Sequence, residues 1–341
     1  MSVEIEFGVH PRVHRTGDDF VRHYPAKLDP AAAATSPRDF VGYGRHPPEV
    51  RWPDGSLVAV NMVLNYEEGA EYSILDGDGN DSWGEYVHEV PSTVRDLGTE
   101  SHYEFGSRVG VWRLARLFDK YQVPVTIGAV AVALERNPEY AAWIRESQHD
   151  VIGHGWRWTE DSRIPRQEEQ RLLRRAISSI ESTTGQRIRG WYVRSFPSVN
   201  TRSLLVEEGN FLYDSDAAND ELPYYVVTDG KPFLVLPYSK VYNDVKYFVP
   251  PYYARPDDFF HSLKLALNAF VDEANEGLGG RMMTVGLHAR WSGQASRCTA
   301  VRDFIEYVLA KDGAGFMRRL DIAEHWLAKH PPVAPEGRGQ A

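Results

Sequence analysis

The sequence predicts an α/β fold, a barrel of seven or eight parallel strands with helices packed around it. Strand-like and helix-like segments alternate from residue 107 to residue 326. Residues 56–66 (SLVAVNMVLNY) form a near-continuous apolar run, which suits a strand buried on both faces. Ionisable residues recur where strands end. A length of 341 residues fits one barrel domain of this kind.

The elements follow in chain order. The strand at 56–66 is followed by a polar insertion at 67–105, and loops of this length usually carry function. Segment 107–121 has helical apolar spacing with Ser107 as its N-cap, and 123–130 is a strand. A helix at 137–148 starts with Pro138, a strand spans 149–156, and a helix at 165–185 ends at Gly185. A strand at 187–193 precedes a helix at 200–209, and the alternation continues through 211–216, 231–239, 255–277, 281–290, 297–313 and 315–326.

The chain divides into three regions. Residues 1–55 are polar and rich in proline, so we expect an extended N-terminal arm that packs on the domain or on a neighbouring subunit. Residues 56–330 form a single barrel domain without internal repeats, and residues 331–341 form a frayed tail.

Charge and composition narrow the function classes. The net charge is −10 with scattered basic residues, which argues against nucleic acid and anionic membranes as partners. Cys298 is the only cysteine, so neither an intrachain disulfide nor a cysteine-based zinc site is expected. The N-terminus shows no basic-then-apolar signal pattern and no apolar run reaches membrane-spanning length. We expect a cytoplasmic protein.

Polar side chains follow five predicted strands. In an α/β barrel the strand ends converge on the active site, so these residues are candidates for one shared site. Each of them alone is equally well explained as a structural histidine, a solvated carboxylate pair or a turn cap. They are Tyr66, Glu67 and Glu68; His154; Arg194 and Ser195; Asp214 and Asp216; and His288 and Arg290.

The segment GHGWRW at 153–158 raises the question of a metal. A second histidine four residues after His154 would complete a ligand pair, but that position holds Trp158, which cannot ligate. Trp156 and Trp158 alternate with Arg157, so the two rings belong either to the core or to a pocket wall. The pattern is compatible with an altered metal site, with a different kind of active site or with no site.

Several motifs, taken in order, resemble the polysaccharide-deacetylase superfamily and most closely its metal-independent branch of allantoinases and cyclic-imide hydrolases. The resemblance runs from about Tyr43 to Trp326. It implies a distorted (β/α) barrel of the polysaccharide-deacetylase type, a hydrolase acting on C–N bonds, and a homo-oligomer, often a tetramer. The motifs are NYEEG, HGWRW, GWYVRSFPSVNTR, YDSDAANDELPYYV and VGLHARWSGQASR.

The resemblance also implies roles. Metal-dependent members carry two adjacent aspartates where this chain has Glu67 and Glu68, and a histidine pair where it has His154 and Trp158. Glu67 therefore matches the general base. His288 matches the late histidine motif, as a general acid or a group that polarises a carbonyl. His154 either orients water or donates to the oxyanion. The residues expected to bind substrate are Glu68, Trp156, Trp158, Arg194, Phe196 and Arg290.

A metal-free site requires an activated substrate. A cyclic imide or ureide has a ring nitrogen between two carbonyls, so its departing anion is delocalised, whereas an N-acetyl group leaves poorly. We expect a small cyclic amide as substrate and no cofactor; a zinc ion, if bound, would use Glu68 and His154. Phe196 favours a ring less polar than allantoin. The alternatives are a metal-dependent N-deacetylase of an N-acetylated sugar and a non-catalytic ligand-binding barrel.

Overall fold

The fold is described from a computed structural model, which covers residues 38–79, 81, 94–160, 162, 164–195, 197–249 and 252–332. Four predictions lie wholly or partly outside these described residues: the arm up to residue 37, the insertion at 67–105 for its residues 80 and 82–93, the tail from residue 333, and Phe196.

Within the described residues the sheet contains nine strands. Its main path runs β6-β7-β5-β4-β3-β2-β1-β8, and β9 pairs with the first residues of β1. All pairs are parallel except β6–β7, which is antiparallel. The curled sheet confirms the predicted distorted barrel. The strands are β1 Val58–Tyr66, β2 Val125–Ala129, β3 Asp150–Gly153, β4 Gly190–Trp191, β5 Tyr213–Asp214, β6 Tyr224–Thr228, β7 Lys231–Val235, β8 Arg281–His288 and β9 Ala314–Phe316.

Helices follow most of the strands, as the alternation predicts. In the described part of the chain, none of them is both long enough and apolar enough to cross a membrane. The helices are α1 Leu97–Phe105, α2 Val111–Tyr121, α3 Ala131–Arg136, α4 Pro138–Glu146, α5 Arg166–Thr184, α6 Thr201–Glu208, α7 Pro256–Glu273, α8 Ala289–Ser292, α9 Ala295–Ala310 and α10 Arg319–Lys329.

The start of one predicted helix differs from the structure. The helix expected to begin at Ser107 begins at Leu97 instead, because Asp96 caps it by accepting a bond from the Thr99 amide. A π-helical turn then joins α1 to α2, so Ser107 is not an N-cap and its hydroxyl contacts Tyr66. The end of α5 is as predicted, since Gly185 adopts a left-handed conformation with φ 70°.

Alternate residues of each strand pack on opposite sides of the sheet. In β1 the even-numbered residues Val58 to Tyr66 join the larger apolar cluster, together with residues from α2, α5, α7 and α9. The odd-numbered Ala59 packs in a second cluster, and Asn61 and Asn65 make polar contacts on that same inner face. The strand sequence therefore determines which residues point into the barrel.

Gly110 lies where the α1–α2 helix touches α8, the short helix that carries Arg290. A Cβ built on Gly110 would overlap the Ala289 carbonyl, which is rigid backbone. We expect Gly110→Ala to lower the free energy of unfolding by about 2–3 kcal/mol, because one of two close-packed backbones must move. Urea unfolding measures the loss.

Gly79→Ala is the matched control for Gly110→Ala. A Cβ at Gly79 would meet nothing within 4 Å, so its stability is expected to equal that of the wild type. Equal stabilities for the two variants would contradict the close contact between α8 and the α1–α2 helix.

Candidate active site

Three strands deliver their terminal side chains to one point on the inner face of the barrel. Glu67 follows β1 and continues the face that carries Asn61 and Asn65. His288 ends β8 on the face that carries Thr284. His154 follows β3 on the same face as Ile152, which packs on the inner side of the sheet. Because β1 pairs with β8, and β3 lies one strand beyond β2, the three side chains meet.

Glu67 is the centre of the cluster. Its Oε1 lies 3.2 Å from Nε2 of His154 and 3.4 Å from Nε2 of His288, and its Oε2 lies 2.8 Å from the Arg290 guanidinium. Its side chain is 2% exposed. Burial alone would raise the pKa of Glu67, but the positive charges of His288 and Arg290 and the bonds from both imidazoles hold it well below the usual value. Glu67 is therefore ionised.

Asp244 positions His288 from the other side. Its Oδ1 lies 2.6 Å from Nδ1 of His288, and its Oδ2 accepts the amides of His288 and Ser292 at 2.8 and 3.2 Å. Burial opposes protonation of His288, yet the Glu67 and Asp244 carboxylates outweigh it and raise the pKa of His288 to about 10. Both ring nitrogens therefore carry a proton at neutral pH, and Nε2 points towards Glu67.

Glu68 differs from Glu67 in its contacts and in the direction of its pKa shift. Its Oε1 accepts the Arg290 amide at 3.1 Å and lies 3.4 Å from the Arg290 guanidinium, while its Oε2 accepts the Glu67 amide. Burial raises the pKa of Glu68, and the neighbouring Glu67 adds to the increase. Arg290, 1% exposed, therefore bridges two carboxylates of unequal acidity.

The two tryptophans of GHGWRW point to different places. Gly155 has φ 95°, a backbone conformation that side chains rarely adopt, and the turn breaks the alternation that places His154 inside. The ring of Trp156 lies 3.7 Å from the Arg175 guanidinium of α5, in a separate pocket of about 270 Å³. The ring of Trp158 lies 3.7 Å from Arg194 and 5.1 Å from Arg290.

Arg194 belongs to a second group beside the cluster. Its Nη1 donates to the Trp158 carbonyl at 2.7 Å, and its Nε lies 3.6 Å from Oε1 of Glu160. The Tyr72 hydroxyl donates to the other Glu160 oxygen at 2.5 Å, and the Tyr72 ring faces the guanidinium at 5.3 Å. Arg194 is 5% exposed, with its charge balanced by Glu160.

The donor set does not fit the zinc site that the resemblance to metal-dependent deacetylases implies. Such a site needs three protein ligands with one open position. Trp158 cannot ligate a metal, and the Arg290 guanidinium lies 3.4 Å from Glu68, the carboxylate expected to bind one. Within the described residues, no group of three or more His, Cys, Asp or Glu side chains is arranged to hold a metal ion.

The structure brings most of the predicted site residues together. Glu67, Glu68, His154, His288 and Arg290 form one contact network, with Trp158 and Arg194 beside it, whereas Trp156 is held by α5. Sequence reasoning missed the supporting residues Asp244, Glu160 and Tyr72. Asp244 lies in a single 3-10 turn, Asp244–Tyr247, which has no periodicity to mark it.

Comparisons with known proteins identify chains that are similar in sequence and fold. The family model for polysaccharide deacetylase matches residues 101–206. The chain is 34% identical to a putative polysaccharide deacetylase of Schizosaccharomyces pombe, over 86% of this chain and 98% of that protein. It is 39% identical to the solved Puue allantoinase, with a TM-score of 0.82 over 87% of this chain and 99% of that one. A probable polysaccharide deacetylase from Pseudomonas aeruginosa PAO1 matches with the same identity and TM-score, over 87% and 100% of the two chains.

Proposed function

Because the chain belongs to the polysaccharide deacetylase superfamily and is a hydrolase of that superfamily, we propose that it opens a small cyclic amide by adding water to a ring carbonyl. One observation carries the proposal. The Glu67 carboxylate contacts two imidazoles and a guanidinium, in a place where metal-dependent relatives need open ligand positions. We further propose that catalysis needs no metal.

Glu67 is the general base of the proposed reaction. It accepts a proton from water as the water oxygen bonds to the ring carbonyl carbon, and the carbonyl π electrons move to oxygen. His154 holds the carboxylate through Nε2 and orients that water. A carboxylate of low pKa is a weak base, so the reaction requires a substrate whose carbonyl is already electrophilic, as in an imide or ureide.

His288 is the general acid. When the tetrahedral intermediate collapses, the bond from carbon to ring nitrogen breaks and that nitrogen takes the Nε2 proton of His288. This transfer leaves a neutral His288 beside the protonated Glu67 carboxyl group. The proton on Glu67 then returns to His288, and the product carries a carboxylic acid and the freed amide or ureide nitrogen.

The charges beside the cluster favour a flat and neutral ring. The Trp158 ring supplies an aromatic surface next to Arg194. Glu160 balances the charge of Arg194, so this guanidinium suits a neutral carbonyl oxygen better than a carboxylate. Arg290 is committed to Glu67 and Glu68, so of the two arginines we assign substrate contact to Arg194. The roles expected for Phe196 and Trp156, and the homo-oligomer implied by the resemblance, stay predictions.

A second function has one observation in its favour. Two of the similar proteins carry the description polysaccharide deacetylase, so removal of an acetyl group from an N-acetylated sugar is the competing activity.

A substrate panel separates the two functions. Purified protein is tested against allantoin, hydantoin, dihydrouracil, succinimide, phthalimide and an N-acetylglucosamine oligomer, with and without chelator. We expect at least one ring to open at a rate that chelator does not change. Release of acetate with no ring opened would overturn the proposal. Loss of ring opening on chelation, restored by zinc, would overturn its metal-free form.

A further inference from the structure

The loop that follows the two catalytic-motif glutamates is fastened by two arginines. We propose that Arg157, the arginine of GHGWRW, is a positioning residue that holds residues 69–78 in the conformation needed for catalysis. The kinetic tests of this inference rest on the proposed function, whereas the proteolysis test does not. We call residues 69–78 the clamped loop.

Arg157 makes the more complete attachment. Its Nη1 and Nη2 donate to the two carboxylate oxygens of Asp78 at 3.0 and 2.6 Å. Nη2 also donates to the Glu71 carbonyl at 2.6 Å. Two parallel charge-assisted bonds fix both the distance and the orientation of the pair. The side chains of Arg157 and Asp78 are each 18% exposed, so solvent screens this pair only in part.

Arg136 binds the same loop at two points, one near each end. Its guanidinium pairs with both oxygens of Asp76 at 2.5 and 3.0 Å and donates to the Gly69 carbonyl. It is 48% exposed and therefore contributes less than Arg157. The carboxylates of Asp76 and Asp78 are thus paired with two guanidinium groups, one at the end of α3 and one in the turn that follows β3.

The clamped loop connects both groups of site residues. Its first residue, Gly69, directly follows Glu68, and the Trp158 amide donates to the Ala70 carbonyl at 2.9 Å. Further along, Tyr72 donates to Glu160, the partner of Arg194. A shift of this backbone therefore moves the carboxylates and the Arg194 group together, and a displacement of about 1 Å in an active site costs about 100-fold in rate.

Arg157→Met tests the inference. We expect a fall in kcat/KM of about 10- to 100-fold, carried mostly by a higher KM because Tyr72 and Glu160 support the substrate-binding Arg194. Arg157→Lys keeps the charge but loses the two-pronged geometry, so it should be impaired as well. Guanidinium chloride at low, non-denaturing concentration should restore KM in Arg157→Ala, which a loss of folding would not allow.

Arg171→Met is the matched control. Arg171 also makes a two-pronged pair, but its side chain is 58% exposed and its partner Glu168 lies on the same helix, α5. Its kinetic constants should equal those of the wild type. Wild-type kcat and KM in Arg157→Met, or an impaired Arg157→Ala that guanidinium does not rescue, would overturn the inference.

Proteolysis tests the clamp without any substrate. Chymotrypsin cleaves after Tyr72 and Leu75, and Leu75 is 66% exposed, so only the conformation of the loop protects it. We expect slow cleavage in the wild type and in Arg171→Met, and rapid cleavage in Arg157→Met. Equal cleavage rates would overturn the clamp, whereas a wild type that opens no ring would overturn only the proposed function.

Discussion

Glu67→Gln is expected to lower kcat for ring opening by about 10²- to 10⁴-fold, the range that a general base contributes. The amide keeps the shape of the side chain but cannot accept the proton of water. It also leaves the buried Arg290 and His288 without their shared counter-charge. We therefore expect a loss of about 3 kcal/mol in the free energy of unfolding as well. Steady-state kinetics and urea unfolding measure the two effects.

Glu71→Gln is the control for this substitution. Glu71 lies four residues further along and accepts the Gly69 amide at 2.6 Å, and burial raises the pKa of Glu71 to about 7. Its carboxyl group is already partly neutral at pH 7, so the neutral amide should change kcat only a few-fold. If Glu67→Gln retained a tenth or more of the wild-type kcat, Glu67 would not be the base.

Asp244→Asn is expected to lower kcat by about 100-fold and to move the alkaline limit of activity to lower pH. The reason is that Asp244 is one of the two carboxylates that raise the pKa of His288 to about 10. The wild type should hold its acid proton until the pH approaches 10, whereas the variant should lose it closer to the ordinary histidine value. The pH dependence of kcat locates both limits.

The same substitution makes a signed prediction for stability. The pKa of His288 is raised from 6.5 in the unfolded chain to about 10 in the folded one. Its stabilising contribution is therefore complete below pH 6.5 and is lost as the pH rises through about 10. The stability difference between the wild type and Asp244→Asn should be largest at about pH 6 and smaller at about pH 9.5, as measured by urea unfolding.

Asp214→Asn separates this effect from a general loss of a buried carboxylate. Asp214 is 1% exposed and pairs with Arg202 at 2.5 Å, at the end of β5. The variant should be less stable than the wild type but should keep the alkaline limit of activity. An alkaline limit that stays unchanged in Asp244→Asn would show that His288 is not the acid.

The strong periodic patterns of the sequence predicted much of the fold. The apolar run of β1 and the amphipathic α5 with its glycine stop were both found, because each pattern extends over many residues. Strand β6 was missed. It pairs antiparallel at the end of the sheet path, and its residues are only partly buried, so the segment YYVVT lacks the fully apolar character of the central strands.

The candidate site was predictable where side chains follow the alternation of a strand. Glu67, His154 and His288 each continue the inner face of the strand before them. Beyond the strand this rule fails, because residues 156–159 form bends, and the two tryptophans that the sequence suggested would act together contact different partners. Supporting residues such as Asp244, which meets His288 across 44 positions of the chain, depend on tertiary folding alone.

Trp158 and Arg290 lie side by side, and together they determine which changes a zinc site at this position would require. A histidine at position 158 would restore a ligand but leave a fixed positive charge 2.8 Å from Glu67, which repels a cation. Removal of Arg290 alone would leave two buried carboxylates without their bridge and still no third ligand. Neither single substitution yields a working zinc site, so under the metal-free mechanism proposed above a zinc site would require both changes together.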